Sequence, residues 1–75
     1  FSIFVYEESP VSIKIIDSLG REVKTILNKK FLGHGQYDFS WDGQTNSNET
    51  AGSGMYYIKF ESDEDILSEK LLLIH

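Results

Sequence analysis

The sequence predicts an all-β domain, a sandwich or barrel of short antiparallel strands, and three observations support this prediction. Apolar residues alternate with polar ones along several short segments, which is typical of half-buried strands. Clusters of Gly, Asp, Asn and Ser separate these segments at regular intervals, as turns do in sandwiches and barrels. No segment has the apolar period of a helix of useful length, and the single Pro lies in a predicted turn.

Six segments show the alternation. They cover residues 1–6, 11–17, 21–27, 37–41, 54–61 and 66–74. Between the second and third segments, Asp17 and Gly20 occupy the first and last positions of a predicted tight turn, so these two strands are expected to pair as a hairpin. Residues 7–10 are predicted to form a turn, and residues 28–35 and 44–53 are predicted to form loops.

The inward positions of these strands define the predicted core. Its members are Phe1, Ile3, Val5, Val11, Ile13, Ile15, Val23, Tyr37, Phe39, Trp41, Tyr56, Ile58, Phe60, Leu71 and Leu73. The last strand is so apolar over residues 71–74 that we expect it to be buried on both faces or covered by something else. Phe4, Tyr6 and Tyr57 are out of phase with the core; such rings could stack on sugars, although strand rings more often pair with each other.

The composition argues against several classes of partner. The chain has 75 residues, a net charge of −5 and only seven Lys and Arg, which are spread along its length. Nucleic-acid binders need a basic patch to displace counterions from phosphates, and anionic membranes favour the same kind of patch. No apolar stretch approaches the ~20 residues that cross a bilayer. We therefore expect no nucleic-acid partner and no membrane insertion.

The residues that catalysis requires are sparse. The only histidines are His34, between glycines in a loop, and His75; there is no Cys and no Ser in a Gly-x-Ser-x-Gly turn. The acidic residues cluster at 7–8 and 61–65 in predicted turns, where solvated carboxylates lack the burial that raises a pKa. A solvated surface is the better interpretation of both groups, so we expect the domain not to be an enzyme and to need no cofactor.

The polar loop offers one possible metal site. Side-chain oxygens recur at alternate positions, at Asp42, Gln44, Asn46 and Asn48. A calcium loop of this kind has Gly at its sixth position and Glu at its twelfth, but the chain has Ser47 and Ser53 there. Polar side chains at this spacing more often hydrogen-bond to nearby backbone, so no metal is expected.

Several short motifs follow one another along nearly the whole chain. The first is V-x-I-x-I-x-D followed by G-R-E-V, at residues 11–17 and 20–23. A loop leads to Gly35 and then to Trp-Asp-Gly at 41–43. Ser-Gly-x-Tyr at 53–56 follows, and Lys70 precedes the aliphatic residues 71–74. In this order and spacing the chain resembles the C-terminal sorting domain of the type IX secretion system and the related immunoglobulin-like domain of the flagellar hook-capping protein.

This resemblance implies an immunoglobulin-like antiparallel β-sandwich of six or seven strands. It implies that residues 1–75 are a single domain, a C-terminal fragment of a longer bacterial protein, which directs a covalently attached upstream passenger to the cell surface. The implied partner is the outer-membrane secretion machinery, and the implied location is secreted or cell-surface, reached through the periplasm. An immunoglobulin-like spacer or adhesion module of an extracellular or flagellar protein is the alternative, and a carbohydrate-binding module is a third candidate.

Two sets of residues follow from this interpretation. The strand at 66–74 is the expected recognition element, and its positions out of phase with Leu71 and Leu73 form a candidate sorting surface of Lys70, Leu72 and Ile74. The expected structural motif comprises Asp17, Gly20, Trp41, Asp42, Gly43, Gly54 and Tyr56. The Trp-Asp-Gly motif is shared across the wider superfamily and so predicts fold more than function.

Overall fold

A computed structural model describes residues 1–63 and 66–74 of the chain. These residues form six strands and no helix, which confirms the predicted all-β fold. The strands are β1 (Ser2–Val5), β2 (Ser9–Asp17), β3 (Glu22–Leu32), β4 (Gly35–Asp38), β5 (Gly54–Glu61) and β6 (Ile66–Leu73). Within these two ranges no helix could cross a membrane. The predicted acidic turn falls partly on residues 64–65, and His75 also lies outside the described residues.

The strands form two antiparallel sheets. The larger sheet has the order β3-β2-β5-β6, and the smaller one pairs β1 with β4. The predicted hairpin across Asp17 and Gly20 is present as β2 and β3, and β5 and β6 form a second hairpin. Apolar side chains from both sheets meet between them, as in a sandwich.

The β2–β3 hairpin continues beyond the predicted strands. Residues 28–35 were expected to be a loop, but β3 runs on to Leu32. A bulge makes this possible: Val11 pairs with Lys30 whereas Ile13 pairs with Leu27. Lys29 adopts a φ of 50° there, and its amide donates to Oγ of Ser12 at 3.0 Å. The buried Ser12 hydroxyl thus supplies the acceptor that the interrupted ladder lacks.

The predicted turn at residues 7–10 is wrong in its second half, because β2 begins at Ser9. Pro10 is tolerated in this strand because, within the described part of the chain, it pairs only with Phe31 of β3, whereas pairing with β5 begins at Ser12. At Pro10 the strand is still an edge, where a missing N–H interrupts no ladder on the free side.

The predicted strand at 37–41 is shorter than expected and ends at Asp38. Phe39 still exchanges both backbone hydrogen bonds with Phe1, each at 2.8 Å. Beyond it the chain leaves the sheet, and Trp41 packs against the second half of the core from a loop. The alternation of aromatic residues therefore continues to Trp41, although the hydrogen bonds between β1 and β4 end before it.

The core consists of two clusters. One centres on Val5, Val11, Ile13 and Leu32, and the other on Ile15, Ala51 and Tyr56. The predicted core residues belong to one cluster or the other, many of them half-buried, apart from Phe1. The prediction that Phe1 belongs to the core is wrong. Its side chain is 37% exposed, because the larger sheet is not covered beside β1. Leu32 and Ala51 were missed because they lie in segments that were predicted to be loops.

Candidate functional site

The turn between β2 and β3 is organised by one carboxylate. Oδ1 of Asp17 accepts hydrogen bonds from the amides of Leu19 and Arg21, each at 2.9 Å, and Oδ2 accepts from Nε of Arg21 at 2.8 Å. Gly20 has a φ of 84°, which suits Gly far better than other residues. Mainly because the Arg21 amide donates to it, the pKa of Asp17 is held below its ordinary value of 3.8. Asp17 and Gly20 therefore fix the geometry of this turn.

The Trp-Asp-Gly motif organises the polar loop in the same way. Oδ1 of Asp42 accepts from the amide of Gln44 at 2.9 Å, and Nε1 of Trp41 donates to the Gln44 carbonyl at 2.9 Å. Gly43 has a φ of 79°, and its carbonyl accepts from the amide of Ala51 at 2.8 Å. This last bond closes the loop at its base and places Ala51 in the core.

The tip of the same loop is attached to β3. Oδ1 of Asn46 accepts from the amide of Thr25 at 3.0 Å, and the Asn46 amide donates to the carbonyl of Val23 at 3.1 Å. Asn48 adopts a φ of 63°, a conformation that Asn tolerates better than most residues. Two of the four possible calcium ligands, the side-chain oxygens of Asp42 and Asn46, thus accept hydrogen bonds from backbone amides. Among the described residues, no group of three or more His, Asp or Glu side chains is arranged to hold a metal ion.

The motif residues converge at one end of the sandwich. Trp41 lies edge-on to Tyr56, with ring centroids 5.2 Å apart, and the Tyr56 hydroxyl donates to the carbonyl of Gly52 at 2.6 Å. Tyr56 pairs with Asp17 of β2, and Gly54 begins the same strand opposite Leu73. The predicted structural motif is therefore one continuous assembly of turn, loop and strand.

The candidate sorting surface lies on an edge strand. Among the described strands β6 pairs with β5 alone, and Leu71 and Leu73 pack against the core cluster around Tyr56. Lys70 is exposed on the opposite face, together with Leu72 at 58% and, just beyond the strand, Ile74 at 76% exposure. The apolar density at 71–74 is thus not buried on both faces within this domain.

The rings considered for sugar binding do not form one platform. Phe4 and Tyr6 are neighbours, with centroids 4.7 Å apart, and Phe4 also contacts the ring of His34 at 5.3 Å. Tyr57, in contrast, belongs to β5 of the larger sheet. His34 joins this aromatic cluster from the β3–β4 connection, a contact that strand alternation could not have predicted.

Together, the two antiparallel sheets, the capped hairpin and the Trp-Asp-Gly loop define a small immunoglobulin-like β-sandwich. A model of the FlgD Ig-like domain matches residues 6–65 of the chain. The match covers well over half of the 75 residues, so the chain belongs to the family of FlgD Ig-like domains. Comparison with curated proteins gave no match, and comparison with solved structures gave none either.

Proposed function

We propose that this domain is a non-catalytic, immunoglobulin-like structural module of a flagellar or other extracellular bacterial protein. Membership of the FlgD Ig-like family, over residues 6–65, is the observation that supports this proposal most directly. As a spacer, the domain contributes a folded body of fixed dimensions between neighbouring segments, and its sequence matters mainly for its own stability.

The use of polar side chains supports the same proposal. Asp17 and Asp42 direct a carboxylate oxygen at backbone amides of their own turn and loop, and Asn46 directs its amide oxygen at the Thr25 amide of β3. Groups that are held this way stabilise loops, and a catalytic role would require them to face a substrate instead. We therefore propose that the domain catalyses no reaction and that its partners are other proteins.

A domain exchange in the natural polypeptide tests the spacer function. Residues 1–75 are replaced by an unrelated immunoglobulin-like sandwich of similar dimensions, and a second variant lacks the domain. If the domain is a spacer, the exchange variant should assemble and localise like the parent, whereas the deletion variant should fail to do so. Loss of export or assembly on exchange would contradict the spacer function, because a generic sandwich would then be insufficient.

The sorting function is a second proposal, and the exposure of the β6 surface favours it. Exposed apolar residues beside a Lys on an edge strand are suited to recognition by another protein. In this proposal a machinery of the outer membrane binds Lys70, Leu72 and Ile74 and carries the attached passenger from the periplasm to the cell surface.

A secretion assay tests the second proposal in a host with type IX machinery. The domain is fused behind a periplasmic passenger, and Lys70→Ser, Leu72→Ser and Ile74→Ser are combined. Ile66→Ser is the matched control, because Ile66 lies on the same strand and is 68% exposed. Sorting through this surface predicts loss of export in the triple variant alone. Unchanged export would eliminate this surface as the signal, provided that circular dichroism shows both variants folded.

A further inference from the structure

The smaller sheet leaves part of the larger one uncovered. Between β1 and β6 lies a groove of about 210 Å³, whose lining includes Phe1, Ile3, Ile58, Phe60, Leu67 and Glu69. Leu67 pairs with Phe60 and is on the inward face of β6, yet it is 59% exposed. An inward apolar side chain with this exposure marks a position where the sandwich lacks a covering strand.

The backbone of β1 is unpaired on the side of this groove. Phe1 and Phe39 exchange both of their backbone hydrogen bonds, so they form a hydrogen-bonded antiparallel pair. Such pairs alternate along a ladder, which makes Ile3 with Tyr37 the next one. The N–H and C=O groups of Ser2 and Phe4 therefore point away from β4, and among the described strands β1 pairs with β4 alone. They form a free edge for another strand.

One charge lies in the groove. Glu69 pairs with Ile58 and is on the same inward face of β6 as Leu67. Its carboxylate makes no hydrogen bond or ion pair with the residues at 1–63 and 66–74. A carboxylate beside Phe60 and Ile58 is complementary to a cationic side chain on an extended segment laid along the groove.

We propose that this groove binds an extended polypeptide strand that adds to the free edge of β1. The strand receives main-chain hydrogen bonds from Ser2 and Phe4, places alternate apolar side chains against Phe60 and Leu67, and presents a Lys or Arg to Glu69. Main-chain pairing supplies affinity in this mode of recognition, and side-chain contacts supply specificity. The surface is separate from Lys70 and Leu72, which lie on the other face of β6, and from Ile74 just beyond the strand.

A single strand fits the groove better than a second copy of the domain does. Two copies joined through their free β1 edges would bring the two grooves, each lined by its own Glu69, to one seam. The two Glu69 carboxylates would also approach each other in the seam, and like charges in an interface disfavour it.

A peptide titration tests the proposal on the isolated 75-residue chain. The probe is a capped peptide of about six residues, the usual length of a strand, in which Val alternates with Thr and one central Val is replaced by Lys. A second peptide carries Glu at that position. Binding is followed by the amide shifts of Ser2, Phe4 and Leu67 in NMR spectra. We expect the Lys peptide to bind about two- to fivefold more tightly than the Glu peptide, as for an exposed ion pair.

Two variant pairs make the test specific. Glu69→Lys is expected to reverse the preference between the peptides, whereas Glu49→Lys, an equal charge change in the exposed polar loop, is expected to leave it unchanged. Phe4→Pro removes the outward N–H without touching the pairs of Ile3 and Val5. Phe4→Ala removes the same ring but keeps this N–H. We expect binding by Phe4→Pro to be about fivefold weaker than by Phe4→Ala.

Three results would overturn the proposal. One is equal binding by Phe4→Pro and Phe4→Ala, because pairing at this edge would then be absent. Another is the absence of peptide binding or of a preference for Lys, which would leave Glu69 as an inward charge that protects the edge from pairing. The third is dimerisation of the free domain through β1, detected by sedimentation, which would make a second copy the occupant.

Discussion

At the residue scale, the polar side chains of the turns act as acceptors for backbone amides. Asp17 caps the β2–β3 turn, Asp42 caps the start of the polar loop, and Asn46 joins that loop to β3. The two aspartates replace a backbone acceptor where the chain leaves regular structure, and the asparagine does so for an amide of strand β3, so that these amides keep a partner. We therefore expect stability at the end of the sandwich where the motif residues converge to depend on these few oxygens.

Replacing Asp17 with Asn should reduce the acid sensitivity of the domain. The lowered pKa of Asp17 means that the unfolded state binds the proton more readily. Its stabilising contribution is therefore present above the unfolded pKa and is lost as the pH falls through the lowered folded value. Asp17→Asn should be less stable than the parent at pH 7, and its free energy of unfolding should decline less between about pH 5 and pH 2.

Urea denaturation across this pH range measures the difference. Glu49→Gln is the control, because it also removes a carboxylate, in the exposed polar loop, whose side chain makes no hydrogen bond with other described residues. Identical acid dependence in the parent and in Asp17→Asn would contradict the assigned role of Asp17.

Trp41→Ala should lower the free energy of unfolding by about 2–3 kcal/mol. This is less than the ~3–5 kcal/mol expected for a fully buried ring, because Trp41 is only half-buried. Trp41→Phe keeps an aromatic ring beside Tyr56 but loses the hydrogen bond to the Gln44 carbonyl. The loss of this hydrogen bond should lower the free energy of unfolding by about 1 kcal/mol, in addition to the effect of the smaller ring. Chemical denaturation measures both variants. A Trp41→Ala variant as stable as the parent would show that the loop does not contribute to the core.

At the scale of the element, β6 has two faces of different character. Leu71 and Leu73 pack on the core cluster of Ile15 and Tyr56, whereas Lys70 and Leu72 face solvent. β6 is also an edge, so that its outer backbone groups have no partner strand among the described residues. A strand of this kind can hold the fold with one face and offer the other to a partner.

Adjacent leucines on β6 provide a matched comparison. Leu71→Ala should cost about 1–3 kcal/mol, because it removes half-buried apolar contacts with the core. Leu72→Ala should cost less than about 0.5 kcal/mol, because Leu72 is 58% exposed. Urea midpoints of the two variants test this order. A larger loss for Leu72 than for Leu71 would mean that the register of β6 is shifted by one residue.

At the scale of the whole molecule, the sandwich is thin and unequal. Its extents are 36 × 20 × 17 Å, and two strands on one side face four on the other. Only seven hydrophobic residues within 1–63 and 66–74 are buried. A domain of this size has a free energy of unfolding near the lower end of the usual range, about 5 kcal/mol. Small local losses therefore approach the stability of the whole molecule.

Calcium should not change the thermal midpoint of the domain. The Asp42 and Asn46 side chains already accept from backbone amides, so an ion would have to displace those bonds. A ligand that binds the native state alone raises the midpoint by mass action. Calorimetry in calcium and in a chelator should give the same value, and a rise of several degrees with calcium would identify the loop as a metal site.

The sequence by itself determined the local features. Alternation located all six strands, because the period of side chains along a strand is a local property. Asp17 with Gly20 predicted the first hairpin, and the Trp-Asp-Gly motif marked the loop that closes the core. The ends of β3 and β4 were misjudged, because Lys29 and Ser12 extend one strand through a bulge and because the alternation of rings runs on to Trp41, beyond the last ladder bonds of Phe39.

Apart from the first hairpin, only the tertiary structure decided which strands became neighbours. Alternation shows which face of a strand is buried, but it contains no information on the partner across a ladder or on which strand is left at an edge. The pairing of β1 with β4, and the groove left between β1 and β6, are therefore visible only in the folded chain. Because the groove with Glu69 arises from this mismatch in sheet width, its residues could not have been grouped from the sequence.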